Sequence, residues 1–366
     1  MQKTSAWPLA WVYVGLIVYA SLYPFDGWRI QGIAPWSFMW APWPQYWTSF
    51  DVLSNVLGYA PLGFFFTLAL RRTRPQRPAL TLATLMAAAL SWGMESLQFF
   101  LPMRVPSNVD WLLNVLGAWS GGSLAVLLTW AGVLARWSRF RAQWFIPDAR
   151  GALVLLALWP VGLLFPAPVA FGLGQVYERL EETVTGWLQD TPWLEFLPMR
   201  EVELQPMLQG TEVLCVWLGL LLPCLLAFSV VRSLQQRWAA MAALWLVGLL
   251  ASALSAALTY GPVHAWDWTS SQVRAGLVAS LFSAAALALL SRRTCLVLAL
   301  VFLVLQLALR NNAATDAYFS LTLQTWEQGR FIRFHGVIQW IGWLWPYVAL
   351  AYLMQRLSNS SPYEDG

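Results

Sequence analysis

The sequence predicts an all-α, polytopic membrane protein, a bundle of about ten transmembrane helices with both termini in the cytoplasm. Only 11% of the 366 residues are charged and 58% are apolar, whereas about 25% of the residues in a soluble domain are charged. Long apolar runs recur along the chain, and the basic residues fall in short clusters between them. The bilayer, rather than water, is therefore the main solvent of this chain.

Ten runs are apolar and nearly free of charge, and about 20 such residues cross a bilayer as a helix. These runs are residues 6–24, 52–70, 79–101, 111–135, 151–174, 213–231, 238–260, 275–291, 294–309 and 336–355. The run at 294–309 is the shortest. We expect the first run to be a retained helix rather than a cleaved signal peptide, because it continues unbroken to Pro24.

The basic residues predict the orientation, because short loops rich in Lys and Arg stay in the cytoplasm. On one side of the predicted helices lie Lys3, Arg71, Arg72, Arg74, Arg77, Arg136, Arg139, Arg141, Arg150, Arg232, Arg237, Arg292, Arg293 and Arg356. Both termini should therefore face the cytoplasm, with the protein a multi-pass component of the cytoplasmic (inner) membrane. The acidic residues collect in the opposite loop, 175–211.

The loops on the outer side are expected to lie at the membrane surface. Five tryptophans crowd the loop between the first two helices, and indole rings favour the headgroup level. After the fifth helix, Val176, Leu180, Val184 and Trp187 recur at helical spacing. This spacing predicts an amphipathic helix that lies on the outer surface.

Several function classes are disfavoured by the same residues. The net charge of +4 comes from the clusters that set the topology, so no nucleic-acid partner is expected. Cys215, Cys224 and Cys295 form no CxxC motif, and His264 lies far from His335 in the sequence. We therefore expect no metal site, no cofactor and no disulfide framework, with the cysteines packed inside helices.

An eight-residue motif occurs twice, as Asp51-Val-Leu-Ser-Asn55-Val-Leu-Gly58 and as Asp110-Trp-Leu-Leu-Asn114-Val-Leu-Gly117. Helical spacing places the Asp, Asn and Gly of each motif on one face. The simplest interpretation makes each Asp a helix N-cap and each Asn a partner in interhelical hydrogen bonds. Close helix approach is expected at five glycines, which are Gly58, Gly63, Gly117, Gly121 and Gly122.

A fainter copy of the motif runs from Glu212 to Gly219. An offset of about 160 residues aligns Asp51 with Glu212, Glu95 with Ser255, Asp110 with Ser270 and Asn114 with Arg274. We therefore predict a four-helix domain at 1–138, a degenerate second four-helix repeat at 139–293, and two further transmembrane helices with a tail at 294–366. The second copy lacks the polar set of the first, so it is expected to act as scaffold.

Glu95 is the sharpest candidate for a functional residue. It lies two helical turns before Pro102, with Gln98 on the same face and Arg104 as the nearest cation in the sequence. A carboxylate at that depth is costly unless it faces a partner or a polar cavity. Two roles for Glu95 are possible: a structural network with Arg or Asn, or a functional pocket that faces the extracytoplasmic side.

These residues resemble the VanZ family over about residues 10–130. The resemblance rests on Tyr23-Pro24-Phe25, Asp51-x3-Asn55 with Pro61-Leu-Gly63, Glu95-x2-Gln98, and Arg104 before Asp110-x3-Asn114-x2-Gly117. It implies a small membrane domain of the bacterial cell envelope, associated with teicoplanin-type glycopeptide resistance. It implies no molecular mechanism.

We therefore expect a non-catalytic envelope protein whose outward polar pocket binds an amphiphile: a membrane lipid, a lipid-linked glycan or a lipoglycopeptide antibiotic. The pocket candidates are Tyr23, Asp26, Asp51, Asn55, Glu95, Gln98, Arg104, Asp110 and Asn114. An intramembrane enzyme would use Glu95 and Asp110 as acid and base, although no nucleophile motif, metal set or nucleotide loop accompanies them. A transporter is favoured by the duplication and disfavoured by the loss of polar residues from the second copy.

Overall fold

A computed structural model of the chain describes residues 6–359 apart from Pro24, Asp26, Gln31, Ile33, 45–47, Met103, Asp190, 197–206 and 314–331. The described residues form twelve α-helices and no β-strand. One isolated bridge joins Phe145 to Val231. The predicted fold class, an all-α polytopic membrane bundle, is confirmed.

The helices are α1 (Ala6–Leu22), α2 (Ser49–Leu70), α3 (Gln76–Gln98), α4 (Asn108–Trp130), α5 (Val133–Trp144), α6 (Arg150–Leu163), α7 (Tyr177–Leu188), α8 (Gln209–Val230), α9 (Leu234–Tyr260), α10 (Ser271–Leu287), α11 (Arg292–Asn311) and α12 (Ile332–Asn359). All except α5 and α7 correspond to the ten predicted runs. Within the described residues, seven helices are long and apolar enough to cross a membrane, namely α2, α3, α4, α8, α9, α11 and α12. Helices α1, α6 and α10 are apolar but shorter. The side on which the termini lie stays a prediction.

The fourth helix was predicted to run to residue 135, which is too far. Helix α4 ends at Trp130, and Gly132 has a φ of +70°, a conformation that ends helices and favours glycine. The chain then forms α5, a separate helix with no buried side chain. The arginines of this stretch therefore lie on an exposed helix rather than in a loop.

The fifth predicted helix was also too long, because α6 ends at Leu163. Pro166 and Pro168 follow, and each proline lacks an amide hydrogen and disfavours helix in the residue before it. Several residues of this irregular segment are nonetheless buried, including Phe165 and Phe171. The amphipathic helix predicted after this segment is confirmed as α7, whereas its place on the membrane surface stays a prediction.

The chain forms two compact units, Met1–Arg139 and Phe140–Gly366. In the first unit, α2 and α4 touch backbone to backbone. A Cβ atom on Gly117 would overlap the carbonyl of Val56, and one on Gly121 would overlap the carbonyl of Ala60. Because residue numbers rise together along both contacts, the two helices run parallel and the two Asp–Asn–Gly motifs lie at nearly the same depth.

The predicted role of the glycines holds for four of the five. Gly63 and Gly122 also lie against neighbouring helices, at Ala118 and at Thr67 with Leu80. Gly58 was assigned wrongly, because a Cβ there would meet nothing within 4 Å. Its backbone carbonyl instead accepts a 2.9 Å hydrogen bond from the Tyr13 hydroxyl. This glycine therefore lies beside open space rather than at a helix contact.

The second unit is built around α8. Within its apolar window 83% of the residues are buried, against 28–39% in the other candidate spans. Helices α6, α9, α10 and α11 all contact it. Cys215, Cys224 and Cys295 are free thiols buried within helices, as predicted. The division of this unit into a four-helix repeat and two further helices stays a prediction.

Candidate functional site

The aspartates of both motifs lie in the first turn of their helices, but neither is the N-cap. Thr48 caps α2, and its backbone N–H and hydroxyl donate to Asp51 Oδ2 at 3.0 and 2.8 Å. Ser107 caps α4, where its hydroxyl accepts from the Asp110 amide at 3.3 Å. The N-cap interpretation of the aspartates is therefore wrong by three residues. The signal was a Thr or Ser three positions before each Asp, the spacing of a capping box.

Glu95 lies in the last turn of α3 and is buried, with 4% of its surface exposed. Its Oε2 accepts a 2.9 Å hydrogen bond from the backbone N–H of Ser107. The start of a helix carries partial positive charge and unsatisfied N–H groups, so the α4 N-terminus stabilises this carboxylate. The contact also brings Glu95 to the helix turn that carries Asp110.

One turn deeper, α3 and α4 are joined by polar side chains. Asn114 Nδ2 donates to Ser91 Oγ at 3.0 Å, and the Trp111 indole donates to the Ala88 carbonyl at 3.1 Å. Asn114 is 5% exposed and Ser91 is fully buried. The expected interhelical hydrogen bond of Asn114 is confirmed, and it fixes the register of the two helices.

The asparagines of both motifs keep a buried polar atom, Asn55 Nδ2 and Asn114 Oδ1, with no hydrogen-bond partner among the described residues. The Tyr59 hydroxyl is also buried and lies within hydrogen-bonding reach of Ser91. Tyr59 lies one turn from Asn55 on the same face of α2, and its hydroxyl is close enough to Glu95 to interact electrostatically. A buried polar group without a partner costs about 1–3 kcal/mol. We call Asn55, Tyr59, Ser91, Glu95 and Asn114 the Glu95 cluster.

Gln98 and Arg104 reach the end of α1. Gln98 Nε2 donates to the Ser21 carbonyl at 3.0 Å, and Arg104 Nη2 donates to the carbonyls of Ala20 and Tyr23 at 3.2 and 2.9 Å. The last carbonyls of a helix have no partner within it, and a cation is favourable there. The two side chains therefore hold the C-terminus of α1 in place.

The predicted site residues thus separate into groups. Glu95 and Asn114 are joined to neighbouring helices in the Glu95 cluster, while Asp51 completes the exposed capping box of α2. Arg104 and Gln98 bind α1, and Tyr23 contributes its backbone carbonyl. Asp26 lies outside the described residues. Which of these residues bind a ligand stays a prediction.

Tyr59 and Ser91 were not among the residues predicted from the sequence. Each lies four residues from a predicted site residue, Tyr59 after Asn55 and Ser91 before Glu95. Residues at that spacing share one face of a helix, so this relation was a usable signal. Arg310 in the second unit was not predicted either. Its side chain is 1% exposed and donates to Gln175 Oε1 at 3.3 Å.

The fold and this cluster define a polytopic, all-helical membrane protein whose first unit holds a buried carboxylate at the end of one helix and the start of another. Residues 6–129 match the VanZ/LLP1 family model. The resemblance is therefore confirmed over a segment that contains the whole Glu95 cluster. No curated protein matches the sequence, and no solved structure does either.

Proposed function

We propose that the first unit of this VanZ-type membrane protein binds the polar head group of an amphiphile at the Glu95 cluster, from the extracytoplasmic side. The ligand classes are a membrane lipid, a lipid-linked glycan or a lipoglycopeptide. The observation that carries the proposal is the buried carboxylate of Glu95 in a cluster where Asn55 Nδ2 and Asn114 Oδ1 have no hydrogen-bond partner among the described residues. Ionisable groups inside membrane segments mark ligand sites or paired networks.

The hydrogen-bonding character of the cluster supports a head group that carries hydroxyls. Asn55 Nδ2 offers donors, while Asn114 Oδ1 offers an acceptor. The Glu95 carboxylate adds acceptor capacity, since a carboxylate has about four lone-pair sites. A hydroxyl both donates and accepts, so one such group can satisfy a member of each set. Glycan head groups carry several hydroxyl groups.

The outer faces of α2 and α4 support an amphiphile rather than a soluble ligand. Leu53 and Leu57 on α2, and Leu112 and Leu116 on α4, are exposed apolar side chains on the helices that hold Asn55 and Asn114. In a membrane these side chains would contact acyl chains. The helices that hold the two asparagines therefore border acyl chains on their other faces, which places the cluster within reach of membrane amphiphiles.

The proposal is tested by identifying the lipid that copurifies with the full-length protein. Protein extracted in dodecyl maltoside is analysed by native mass spectrometry as wild type, Glu95→Gln and Glu195→Gln. Glu195 is exposed and distant from the cluster in sequence, so its variant is a matched control for loss of one carboxylate. We expect bound amphiphile in the wild type and the control, and at least about tenfold less in Glu95→Gln, the loss of one charge-assisted hydrogen bond.

Folding is followed in the same samples by size-exclusion chromatography. A folded Glu95→Gln variant that retains the wild-type amount of amphiphile would refute the proposal, because the charge would be dispensable. A Glu95→Gln variant that does not fold would assign the carboxylate to a structural network instead. If the folded variant keeps its amphiphile chemically unchanged, while the wild type carries a chemically altered form of it, the alternative of an enzyme that uses Glu95 and Asp110 is favoured.

A role in teicoplanin-type resistance is part of the proposal and rests on the VanZ-type segment. A host that expresses the wild-type protein should become less susceptible to teicoplanin, while Glu95→Gln at equal membrane abundance should restore susceptibility. Equal protection by both proteins would separate any resistance from the Glu95 cluster.

A further inference from the structure

The second unit contains an open cavity of about 670 Å³. Its wall is made by the ends of four helices: the C-termini of α6 and α9 and the N-termini of α8 and α10. The irregular segment after α6 and the short connection from α9 to α10 complete it. These chain ends all lie on the side that the arginine pattern predicts to be extracytoplasmic.

Polar residues enter this cavity at positions that the predicted repeat had singled out. Glu212, Ser255 and Ser270 all line it, and the repeat aligns them with Asp51, Glu95 and Asp110. The Ser255 hydroxyl donates to the Leu164 carbonyl at 2.9 Å, and Ser270 caps α10. The cavity therefore lies in the copy of the repeat that was expected to act as scaffold.

The charge of the lining is negative. Among the described residues that line the cavity there is no Lys or Arg, and the charged or titratable side chains include Glu212, Asp267 and His264. Asp267 is paired, since its Oδ2 lies 2.6 Å from His264 Nδ1. That leaves Glu212 as the carboxylate to be accounted for.

Glu212 has little compensation from the protein. Its Oε1 accepts from the Ser270 hydroxyl at 3.5 Å, a long hydrogen bond. No cation in the described part of the chain forms an ion pair with it, and Arg274 donates through Nε to the Ser270 carbonyl instead. Glu212 lies in the first turn of α8, where the partial positive charge of the helix N-terminus attracts negative charge. The cavity wall thus carries a half-buried negative charge.

An aromatic ring in the lining is fixed in place. The Trp268 indole donates to the Ala265 carbonyl at 3.0 Å, stacks on Trp266 with 6.3 Å between ring centroids, and meets Phe171 edge-on at 5.7 Å. Indole is the best side chain for binding a cation at its face. Much of the remaining lining is apolar, as at Leu163, Phe165 and Val273.

We propose that this cavity binds an alkylammonium group, with the cation near Glu212 and Trp268 and the alkyl part against the apolar lining. An anionic head group would be repelled by Glu212, and a neutral one would leave its charge uncompensated. The ammonium group can belong to a membrane amphiphile or to a small soluble amine. The proposal does not depend on the Glu95 cluster, since all the residues that carry it lie in the second unit.

The test measures binding of radiolabelled decyltrimethylammonium to the full-length protein in dodecyl maltoside. We expect saturable binding that unlabelled decyltrimethylammonium displaces and decyl phosphate does not. The Glu212→Gln variant should bind about tenfold more weakly, the loss of one charge-assisted contact. The Glu195→Gln control should match the wild type. Equal affinity in wild type and Glu212→Gln, or displacement by decyl phosphate, overturns the proposal.

Competition by choline identifies the source of the group. Displacement by choline at similar concentration indicates a soluble amine, whereas failure of choline indicates that the alkyl chain is needed and the ligand is an amphiphile. Both results support an alkylammonium site.

A measurement on the wild-type protein guards against a variant that fails to fold. A decylammonium derivative with a photoreactive diazirine on its chain is cross-linked, and the labelled peptides are identified by mass spectrometry. Labelling should concentrate in residues 163–171 and 252–273, which line the cavity. Labelling confined to other peptides refutes the site.

Discussion

Two glycine-to-alanine substitutions in the first unit should change stability in opposite directions. Gly121 and Gly58 both lie within membrane-spanning helices, on α4 and α2. At Gly121 the new methyl group would overlap the backbone carbonyl of Ala60, whereas at Gly58 it would meet nothing within 4 Å. The chemical change is identical, so the difference isolates helix contact from helix propensity.

The expected magnitudes follow from that geometry. Alanine is favoured over glycine inside a helix by about 0.5–1 kcal/mol, and Gly58→Ala should keep most of this gain. In Gly121→Ala the clash is with backbone rather than with a flexible side chain, so the helices must separate. Inserting a methyl group into a close-packed contact costs about 1–3 kcal/mol, which outweighs the propensity term. Gly121→Ala should therefore be destabilised by about 1–2 kcal/mol.

Thermal denaturation of the full-length protein in detergent, followed by size-exclusion fluorescence, measures both variants against the wild type. We expect a lower transition temperature for Gly121→Ala and an equal or higher one for Gly58→Ala. Equal destabilisation of the two variants would refute the close parallel contact of α2 and α4. Bound amphiphile should also fall in Gly121→Ala, because separating these helices moves Asn55 away from Asn114.

Two further predictions concern the helix start and the topology. Ser107→Ala should lower stability by about 1 kcal/mol, the usual cost of losing an N-cap side chain. It should keep bound amphiphile, because the backbone N–H that binds Glu95 remains. Thermal denaturation measures the stability and native mass spectrometry the bound amphiphile; loss of amphiphile from folded Ser107→Ala would contradict the reasoning. Single cysteines at Gln76 and Gln209, both exposed, should react with an impermeant maleimide from opposite sides of the membrane, since the native cysteines are buried. Labelling of both from one side would overturn the orientation.

The helical membrane class was predictable because its signal is local and long. Each transmembrane helix is indicated by a run of about 20 apolar residues, and the ten predicted runs correspond to ten of the helices. The errors came where single residues decide the backbone, as at Gly132 with its φ of +70°. The segment at residues 164–174 was wrongly predicted as helix for another reason. Its composition is apolar because it is buried, and apolar composition alone does not separate a helix from an irregular segment packed inside the protein.

The candidate site was predictable only where a side chain is out of place in a membrane. Glu95 and Asn114 stand out in apolar runs, because burying them without partners is costly. Ser91 and Tyr59 do not stand out, since both residue types occur in membrane helices without special cause. Glu95 and Arg104 both bind backbone groups, the Ser107 N–H and the carbonyls of Ala20 and Tyr23. A backbone partner has no residue type, so no motif in the sequence identifies it.

The two Asp–Asn–Gly motifs show how one sequence pattern acquires different roles through its neighbours. In both, a Thr or Ser three residues before the Asp caps the helix and accepts from the Asp backbone N–H, a local role set by the residue that precedes the motif. The Asn and Gly depend on what lies opposite. Asn114 faces Ser91 and Gly117 lies against Val56, whereas Asn55 keeps a buried amide without a described partner and Gly58 faces open space. Substitutions at matched positions should therefore be compared as pairs, because Gly117 lies in a helix contact and Gly58 does not.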